Sequence, residues 1–375
     1  MTTVLLATPF YPPSLGGVQQ YVQNLARQLT ARHGHRVVVV TTAGDGAGPS
    51  RADTAEGITV YRLPALARIS QTPVGLGWTR AIRRVIRSEG VDLVNGHGPV
   101  PLFADAARRA AGRVPFVLTY HAGRMRKQAL LPDAVCAAYE RTVMAATARK
   151  AEAVICASEH VVEEFPRLFA GRAAVIEPGA DLSLFAPAPL PPGPRIVFVG
   201  SLERTASYKG LPDLLHALAA LAEAIPQACL EVVGAGSAED DYRALAGRLG
   251  IAGRVTFAGH LSGEDLAAAY RRGRVLALPT HFDNFPTVIV EAMATGRPVV
   301  ATRVGAIPTM VAEGETGLLV DAGDVPALTG ALAAVLGDRQ RAERFGAAGA
   351  ATVAERLSWQ RQADRTAEVF ERALG

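Results

Sequence analysis

Short apolar runs alternate along the chain with segments whose apolar residues recur at helical spacing. Residues 4–8 and 37–42 are continuous apolar runs of strand length, and a Pro/Gly loop and a helical pattern lie between them. The helical pattern repeats every three or four residues, at Val18, Tyr21, Val22, Leu25, Ala26 and Leu29. Apolar strands joined through a helix predict a parallel sheet that is covered by helices on both faces.

The same alternation begins again after residue 195. A strand pattern at 195–200 is followed by a polar loop and a helix, and the next strand pattern covers 229–236. The apolar face of that helix carries four leucines, Leu214, Leu215, Leu218 and Leu221. The repeat predicts an α/β protein with two Rossmann-like β/α/β domains facing across a cleft, where loops at strand ends would bind ligands.

A proline-rich segment, APAPLPPGP, separates the two halves and is typical of a stiff, extended linker. We therefore expect an N-terminal domain over 1–186, a linker over 187–194 and a C-terminal domain over 195–357. A last helix is expected over 358–375, with an apolar stripe at Trp359, Ala363, Thr366, Phe370 and Ala373. Two packings of this helix remain open, back onto the N-terminal domain or onto the domain that precedes it.

Composition narrows the class of protein. A chain of 375 residues exceeds one ordinary core, and 49% hydrophobic with 20% charged residues indicates a globular protein. A net charge of +4 is too weak to indicate a nucleic-acid partner, although it suits an anionic small ligand or membrane surface. Three scattered cysteines without a CxxC pattern, no signal-peptide pattern and no apolar run of membrane-spanning length predict a cytoplasmic protein.

Two carboxylates, Asp283 and Glu291, interrupt an apolar stretch near residue 290. Pro286 fits the first turn of a helix, and Gly296 fits its C-terminal cap. The free N–H groups at such a helix start, those of Thr287 and Val288, would form an anion site suited to a diphosphate. The alternative makes Asp283 a helix cap and Glu291 a solvated residue.

The order of motifs along nearly the whole chain resembles the retaining GT-B glycosyltransferases of family GT4 (glycosyl transferases group 1). The stretch DNFPTVIVEAMATGRPVVAT resembles the E-x7-E signature of that family. FYPPSLGGVQQYVQNLARQL is similar to its N-terminal glycine loop and helix, and RIVFVGSLERTASYKGLPDLL to its donor phosphate loop. DLVNGHGP, FVLTYHAG and VIEPGADLSLF are similar to further segments in the same order.

The resemblance implies a role for each site residue. Glu291 would hold the ribose hydroxyls of a nucleotide sugar, and Asp283 the hydroxyls of the transferred sugar. Lys209 would bind the diphosphate, and His121 would point into the cleft. The expected catalytic residues are His121, Asp283 and Lys209. The expected donor-binding residues are Gly16, Gly17, Arg204, Lys209, Asp283, Asn284, Phe285, Pro286, Thr287, Val288 and Glu291. Lys209 as a surface lysine and His121 as a structural histidine are the alternatives.

Three positions depart from the family pattern. Asp283 stands where the first glutamate is usual, and Pro286 follows Phe285 where glycine is usual. The usual G-R-L of the phosphate loop is Gly200-Ser201-Leu202, so one positive charge is missing. We predict that Arg204 supplies that charge. The alternative is a solvated Arg204 that pairs with Glu203 or with nothing.

The predicted reaction transfers a sugar from a UDP- or GDP-sugar to a hydroxyl or amine, with retention of anomeric configuration. No D-x-D motif occurs, so neither a metal nor another cofactor is expected. A sugar-nucleotide epimerase and a non-catalytic nucleotide-sugar-binding protein remain alternatives. A NAD-dependent oxidoreductase is disfavoured because no complete G-x-G-x-x-G follows either first strand.

The acceptor is open: a small molecule, a glycan or a lipid-linked molecule. Residues 78–87, WTRAIRRVIR, place four arginines beside Trp78, Ile82, Val85 and Ile86. This segment predicts either peripheral contact with the inner face of an anionic membrane or an ordinary amphipathic helix on the core. Three basic residues after His121 would face an anionic acceptor or solvent: Arg124, Arg126 and Lys127.

Overall fold

The computed structural model describes residues 1–14, 16–43, 48–54, 56–69, 72–125 and 130–375. The chain divides into two compact units, Met1–Pro178 with Trp359–Gly375, and Gly179–Ser358. Each unit is built on a predominantly parallel sheet with its own helices, which confirms the predicted α/β class with two parallel-sheet domains.

Sixteen strands are found in the described residues. They are β1 (Thr3–Ala7), β2 (Arg36–Thr42), β3 (Ser50–Asp53), β4 (Thr59–Leu63), β5 (Ala67–Ile69), β6 (Thr72–Val74), β7 (Leu93–Gly98), β8 (Phe116–Tyr120), β9 (Ala153–Cys156), β10 (Ala173–Val175), β11 (Arg195–Val199), β12 (Cys229–Val233), β13 (Val255–Gly259), β14 (Val275–Leu278), β15 (Val299–Thr302) and β16 (Gly317–Val320).

The α-helices of the described residues are α1 (Gly17–His33), α2 (Trp78–Glu89), α3 (Phe103–Ala111), α4 (Leu130–Tyr139), α5 (Ala145–Arg149), α6 (Glu159–Glu164), α7 (Pro166–Phe169), α8 (Leu211–Ala224), α9 (Glu239–Arg248), α10 (Gly263–Arg272), α11 (Thr287–Ala294), α12 (Ile307–Met310), α13 (Val325–Gly337), α14 (Arg339–Arg356) and α15 (Trp359–Leu374). A π-helix covers Glu140–Met144, and 3-10 helices cover Arg204–Lys209 and Ala252–Arg254.

The sheet of the first unit has the order β10-β9-β8-β7-β1-β2-β4-β3. Its pairs are parallel except for the edge pair β3–β4, which the apolar pattern did not predict because β3 is fully exposed. Helix α1 buries the face that its spacing predicted, and Tyr21 on that face meets Trp359 of α15 at a ring-centroid distance of 5.1 Å. Of the two packings open for the C-terminal helix, the structure has the one on the first unit.

Helix α2 packs its apolar side on the core of the first unit. Trp78, Ile82, Val85 and Ile86 are buried, as expected for a helix that packs on its own core. Its four arginines, Arg80, Arg83, Arg84 and Arg87, lie on the exposed side. Within the described ranges, we find no helix that combines the length and the apolar character needed to cross a bilayer.

The second unit has a six-stranded, fully parallel sheet in the order β13-β12-β11-β14-β15-β16. Counted from β11, this is the order 3-2-1-4-5-6 of doubly wound nucleotide-binding sheets. The chain reverses its direction of winding between β11 and β14. Loops leaving the carboxyl ends of these two strands therefore diverge to opposite faces and leave a crevice between them.

The proline-rich segment predicted as a linker packs on the second unit. The division of the chain falls at Gly179, eight residues before the predicted boundary, so 187–194 is not the connection between units. Arg297 is 1% exposed and donates to the carbonyls of Ala188, Pro189 and Gly273. Arg274 donates likewise to the carbonyls of Pro191 and Pro192.

The physical reason lies in what proline lacks. A proline-rich segment cannot donate N–H groups to a sheet, yet its carbonyls still need partners once they are buried. Two buried guanidinium groups supply those donors in a fixed planar fork. The arginines lie more than 80 positions along the chain from the prolines, so local sequence gave no sign of this contact.

We expect the substitution Arg297→Lys to lower the free energy of unfolding by about 3 kcal/mol, because one ammonium cannot reach all of these carbonyls and leaves buried acceptors unpaired. Urea unfolding of the purified protein measures this. Arg339→Lys is the matched control, since Arg339 contacts the carbonyls of Leu190 and Pro191 from a half-exposed position. Equal effects of the two substitutions would contradict the assignment.

Candidate functional site

The crevice of the second sheet is lined by the loops that follow β11 and β14. Lys209 closes the first loop and Asp283 lies in the second, so the strand order brings together two residues 74 positions apart. Ligands of doubly wound sheets bind at this point. The sequence-predicted donor residues of the second half therefore lie where the topology independently predicts a ligand site.

Backbone contacts hold these loops together. The carbonyl of Tyr208 accepts the His281 N–H at 2.7 Å and the Thr280 hydroxyl at 3.0 Å. Gly210 has φ 75°, and a Cβ there would lie 1.9 Å from the carbonyl oxygen of Pro279. Gly305 has φ 53°, and a Cβ there would lie 1.7 Å from the carbonyl oxygen of Asp283. Only glycine permits either approach, so glycines fix the positions of Lys209 and Asp283.

Lys209 and Asp283 are bonded to each other. The distance from Lys209 Nζ to Asp283 Oδ2 is 2.6 Å, and the two side chains are 21% and 14% exposed. Neither alternative from the sequence describes them, because Lys209 is not a free surface lysine and Asp283 does not cap α11. The helix is preceded by Pro286 at its N-cap, without a side-chain cap.

The start of α11 adds backbone donors to the site. Pro286 lies one position before the helix rather than in its first turn, with φ −72° and ψ 107°. The Ile289 N–H donates to the Pro286 carbonyl, whereas the N–H groups of Thr287 and Val288 have no hydrogen-bond partner among the described residues. Phe285 and Pro286 are buried behind them. Two N–H groups at the positive end of a helix suit an anion.

Glu291 lies inside α11 and is buried, with 8% exposure, so it is not the solvated residue of the alternative. Its Oε2 accepts the Tyr270 hydroxyl at 2.7 Å. Burial raises the pKa of Glu291 to about 7, against the smaller opposing effect of the Tyr270 hydrogen bond. Because the folded pKa lies above the ordinary value, the stability from the neutral form is lost as pH rises from about 4.5 through about 7.

Two further predicted donor-binding residues, Arg204 and Asn284, lie in the loops after β11 and β14. Arg204 begins the 3-10 helix that ends at Lys209, and its side chain is two-thirds exposed. It pairs with Asp241 of α9 at 2.6 Å rather than with Glu203. The Glu203 carboxylate instead accepts the Ser237 hydroxyl. The predicted action of Arg204 on the donor phosphates stays a prediction. Asn284 lies between Asp283 and Phe285, and its carbonyl accepts the Ala306 N–H.

The first unit carries its own polar centre at the carboxyl edge of its sheet. His121 follows β8, and its Nε2 lies 2.9 Å from Nδ1 of His97 in the neighbouring strand β7. Tyr21 meets the His121 ring edge-on at a centroid distance of 4.6 Å. Burial lowers the pKa of His121 to about 3 and that of His97 well below its ordinary value. His97 was missed, although its place at the end of a predicted strand, like that of His121, was a usable signal.

Among the described residues, no hydrogen bond joins the other predicted residues of the first unit to this histidine pair. Gly16 caps α1 with φ 152°, and Gly17 is the first residue of that helix. Arg124 is exposed and donates to the Glu164 carbonyl. Arg126 and Lys127 lie outside the described residues. No group of three or more metal-ligating side chains is found in the described part of either unit.

Family models match both halves of the chain. The model described as Glycosyltransferase Family 4 matches residues 15–184, and the model described as Glycosyl transferases group 1 matches residues 193–338. The D-inositol 3-phosphate glycosyltransferase of Xylanimonas cellulosilytica is 33% identical, over 96% of this chain and 92% of the relative.

Two further proteins are similar over their full length. The GDP-mannose-dependent alpha-(1-6)-phosphatidylinositol monomannoside mannosyltransferase of Mycolicibacterium smegmatis is 29% identical, over 98% of both chains. The solved sucrose-phosphate synthase of Thermosynechococcus elongatus superposes with a TM-score of 0.81 at 25% identity, over 99% of this chain and 98% of that chain. The chain therefore belongs to the family 4, group 1 glycosyltransferases and has their GT-B fold.

Proposed function

We propose that this glycosyltransferase moves a sugar from a nucleoside diphosphate sugar to an acceptor hydroxyl or amine, with retention and without a metal. The Lys209–Asp283 pair beside the start of α11 carries this proposal. Positive groups converge there with a carboxylate, as binding of a diphosphate and a polyol in one molecule requires. UDP and GDP both remain candidates for the nucleotide.

Donor binding exchanges the partner of Lys209. A diphosphate at the Thr287 and Val288 N–H groups competes with Asp283 for one ammonium group, and it carries the larger negative charge. Lys209 then moves to the diphosphate, and Asp283 becomes free to accept hydroxyl groups of the sugar. The ion pair is only partly buried, so it opens without exposing an isolated charge deep in the protein.

The chemistry follows from these positions. The bond from the anomeric carbon to the diphosphate oxygen breaks, and the acceptor forms its bond on the same face. The acceptor proton passes to the departing phosphate oxygen, so charge and protons balance without a protein base. Lys209 and the helix N–H groups stabilise the negative charge that grows on the leaving group. Position and electrostatics supply the rate enhancement.

The acceptor proposal rests on the relatives and on one surface. The names of two relatives specify phosphorylated inositol acceptors, one of them a lipid. The exposed arginines of α2 would suit either an anionic lipid headgroup or the inner face of an anionic membrane. We therefore propose a phosphate-bearing polyol, free or lipid-linked, as the acceptor class.

The whole proposal is tested by incubating purified protein with UDP- and GDP-sugars and with inositol phosphates, free or in vesicles, in the presence of EDTA. We expect transfer at the same rate with and without EDTA. NMR of the product should show the same anomeric configuration as the donor. Loss of transfer restored by Mg²⁺ or Mn²⁺ would contradict metal independence, an inverted product would contradict retention, and epimerised donor without transfer would favour the epimerase.

The exchange of partners predicts opposite effects from the two members of the ion pair. Lys209→Ala should weaken nucleoside diphosphate binding by roughly 10- to 100-fold, the value of one charge-assisted hydrogen bond. Asp283→Asn should leave that affinity unchanged or tighter, because a competing carboxylate is gone, yet lower the transfer rate at least tenfold. Isothermal titration calorimetry and initial rates measure the two quantities.

Arg204→Ala is the comparison variant in the same two assays. A loss of transfer rate similar to that of Lys209→Ala would support its predicted action on the phosphates, and Asp241→Ala should then raise the rate by freeing Arg204. Wild-type behaviour of Arg204→Ala would leave it as a surface partner of Asp241. Equal loss of diphosphate affinity in Lys209→Ala and Asp283→Asn would contradict the exchange itself.

The raised pKa of Glu291 predicts that nucleotide binding releases a proton. Ribose hydroxyls that donate to its carboxylate stabilise the charged form, so binding must remove a proton from a group with a pKa of about 7. Affinity should therefore fall by up to about tenfold per pH unit below 7, and Glu291→Gln should lack this dependence.

Calorimetry at pH 6 and 8, in two buffers of different ionisation enthalpy, counts the proton. The phosphate of the nucleotide titrates equally in both proteins, so the difference between wild type and Glu291→Gln isolates this residue. The same pH dependence and the same proton count in both would remove Glu291 from the ribose.

A further inference from the structure

Behind His121 lies a second histidine that no predicted role uses. His97 is 1% exposed in β7, and its Nδ1 lies 2.9 Å from Nε2 of His121. The two rings are nearly parallel, with 9° between their planes. This hydrogen bond occupies one of the two ring nitrogens of His121, so only Nδ1 of that residue remains for a substrate.

The surroundings of the pair are apolar and uncharged. Tyr21 of α1 meets both rings edge-on, and its own hydroxyl is hydrogen-bonded with Thr366 of α15. Burial lowers the pKa of both imidazoles, and His121 lowers that of His97 further, so both are neutral near pH 7. A single proton therefore lies between the two facing nitrogens.

That proton can belong to either histidine, and the two arrangements differ in whether Nε2 of His97 carries a proton. Its Nε2 is buried and has no hydrogen-bond partner in the described residues. If His121 donated to His97, the neutral His97 would carry its proton on this Nε2, leaving a buried N–H without an acceptor. If His97 donates from Nδ1, Nε2 is only an unused lone pair. Orphaned buried N–H groups are rare in proteins, so the second arrangement is favoured.

We propose that His97 is a positioning residue that holds His121 in the tautomer with its proton on Nδ1, an inference that rests on the proposed function. In this tautomer His121 donates a hydrogen bond from Nδ1 to a hydroxyl oxygen of the substrate and not to its diphosphate. It has no free lone pair, because Nε2 accepts from His97. His121 therefore cannot take the acceptor proton, which leaves the departing phosphate oxygen as its destination.

The tautomers are measured directly, without substrate. In protein carrying ¹⁵N-labelled histidine, we expect the Nδ1 of both His97 and His121 to be protonated and both Nε2 atoms to be bare, from pH 5 to 9. Protonated Nε2 on His121 in the wild type would overturn the proposal. This result does not depend on any transfer activity, so it separates failure of this inference from failure of the proposed function.

Two variants then test whether the tautomer matters. His97→Asn keeps an N–H donor at the place of Nδ1, whereas His97→Leu removes it and leaves nothing to fix the tautomer of His121. We expect His97→Leu to show His121 with a protonated Nε2 in part of the molecules and to lose about tenfold in transfer kcat/KM, the value of one hydrogen bond. His97→Asn should recover both properties.

Nucleoside diphosphate affinity and the midpoint of unfolding are measured for both variants. These two quantities distinguish a positioning role of His97 from a purely structural one. Both variants should bind the free diphosphate like wild type, because His121 is assigned to other oxygens of the substrate. Equal losses of rate in the Asn and Leu variants with an unchanged His121 tautomer would reduce His97 to a packing residue and overturn the proposal.

Discussion

Direct contact between loop backbones at the carboxyl edge of the second sheet is the constraint on which the candidate site depends. The loop after β11 touches the loop after β14, and that loop in turn touches the loop after β15, at carbonyl groups that glycines alone can approach. Without these contacts, Lys209 and Asp283 would sit on independent loops, and a 2.6 Å ion pair between them would cost the ordering of both. The sheet order forms the crevice, and the glycines fix the relative positions of the loops that line it.

Burial divides the ionisable groups of the molecule into two kinds. Lys209 and Asp283 form an ion pair with each other and keep part of their side chains exposed. Glu291, His97 and His121 are held in apolar surroundings that favour their neutral forms. The ion pair thus lies where a ligand can reach it, whereas burial favours the neutral forms of the other three groups.

Local sequence predicted the fold, and the contacts that it did not predict have a common cause. Strand and helix periodicity predicted both sheets, the buried face of α1 and the helix that bears Glu291. The contacts of Arg297 with the proline-rich segment, of Arg204 with Asp241 and of His97 with His121 were not foreseen. Each joins residues far apart in the chain through side-chain geometry, which periodicity does not encode. His97 alone left a trace, its position at a strand end.

The loop after β11 is anchored by backbone contacts near both of its ends. Near its start, Leu202 exchanges backbone hydrogen bonds with the loop after β12, at Ala235 and Ala238. Near its end, Gly210 rests against the carbonyl of Pro279. Of the intervening side chains, Arg204 is largely exposed and Tyr208 is 38% exposed. Because both anchors are made by backbone atoms, substitutions at these two exposed positions are expected to leave the position of Lys209 unchanged.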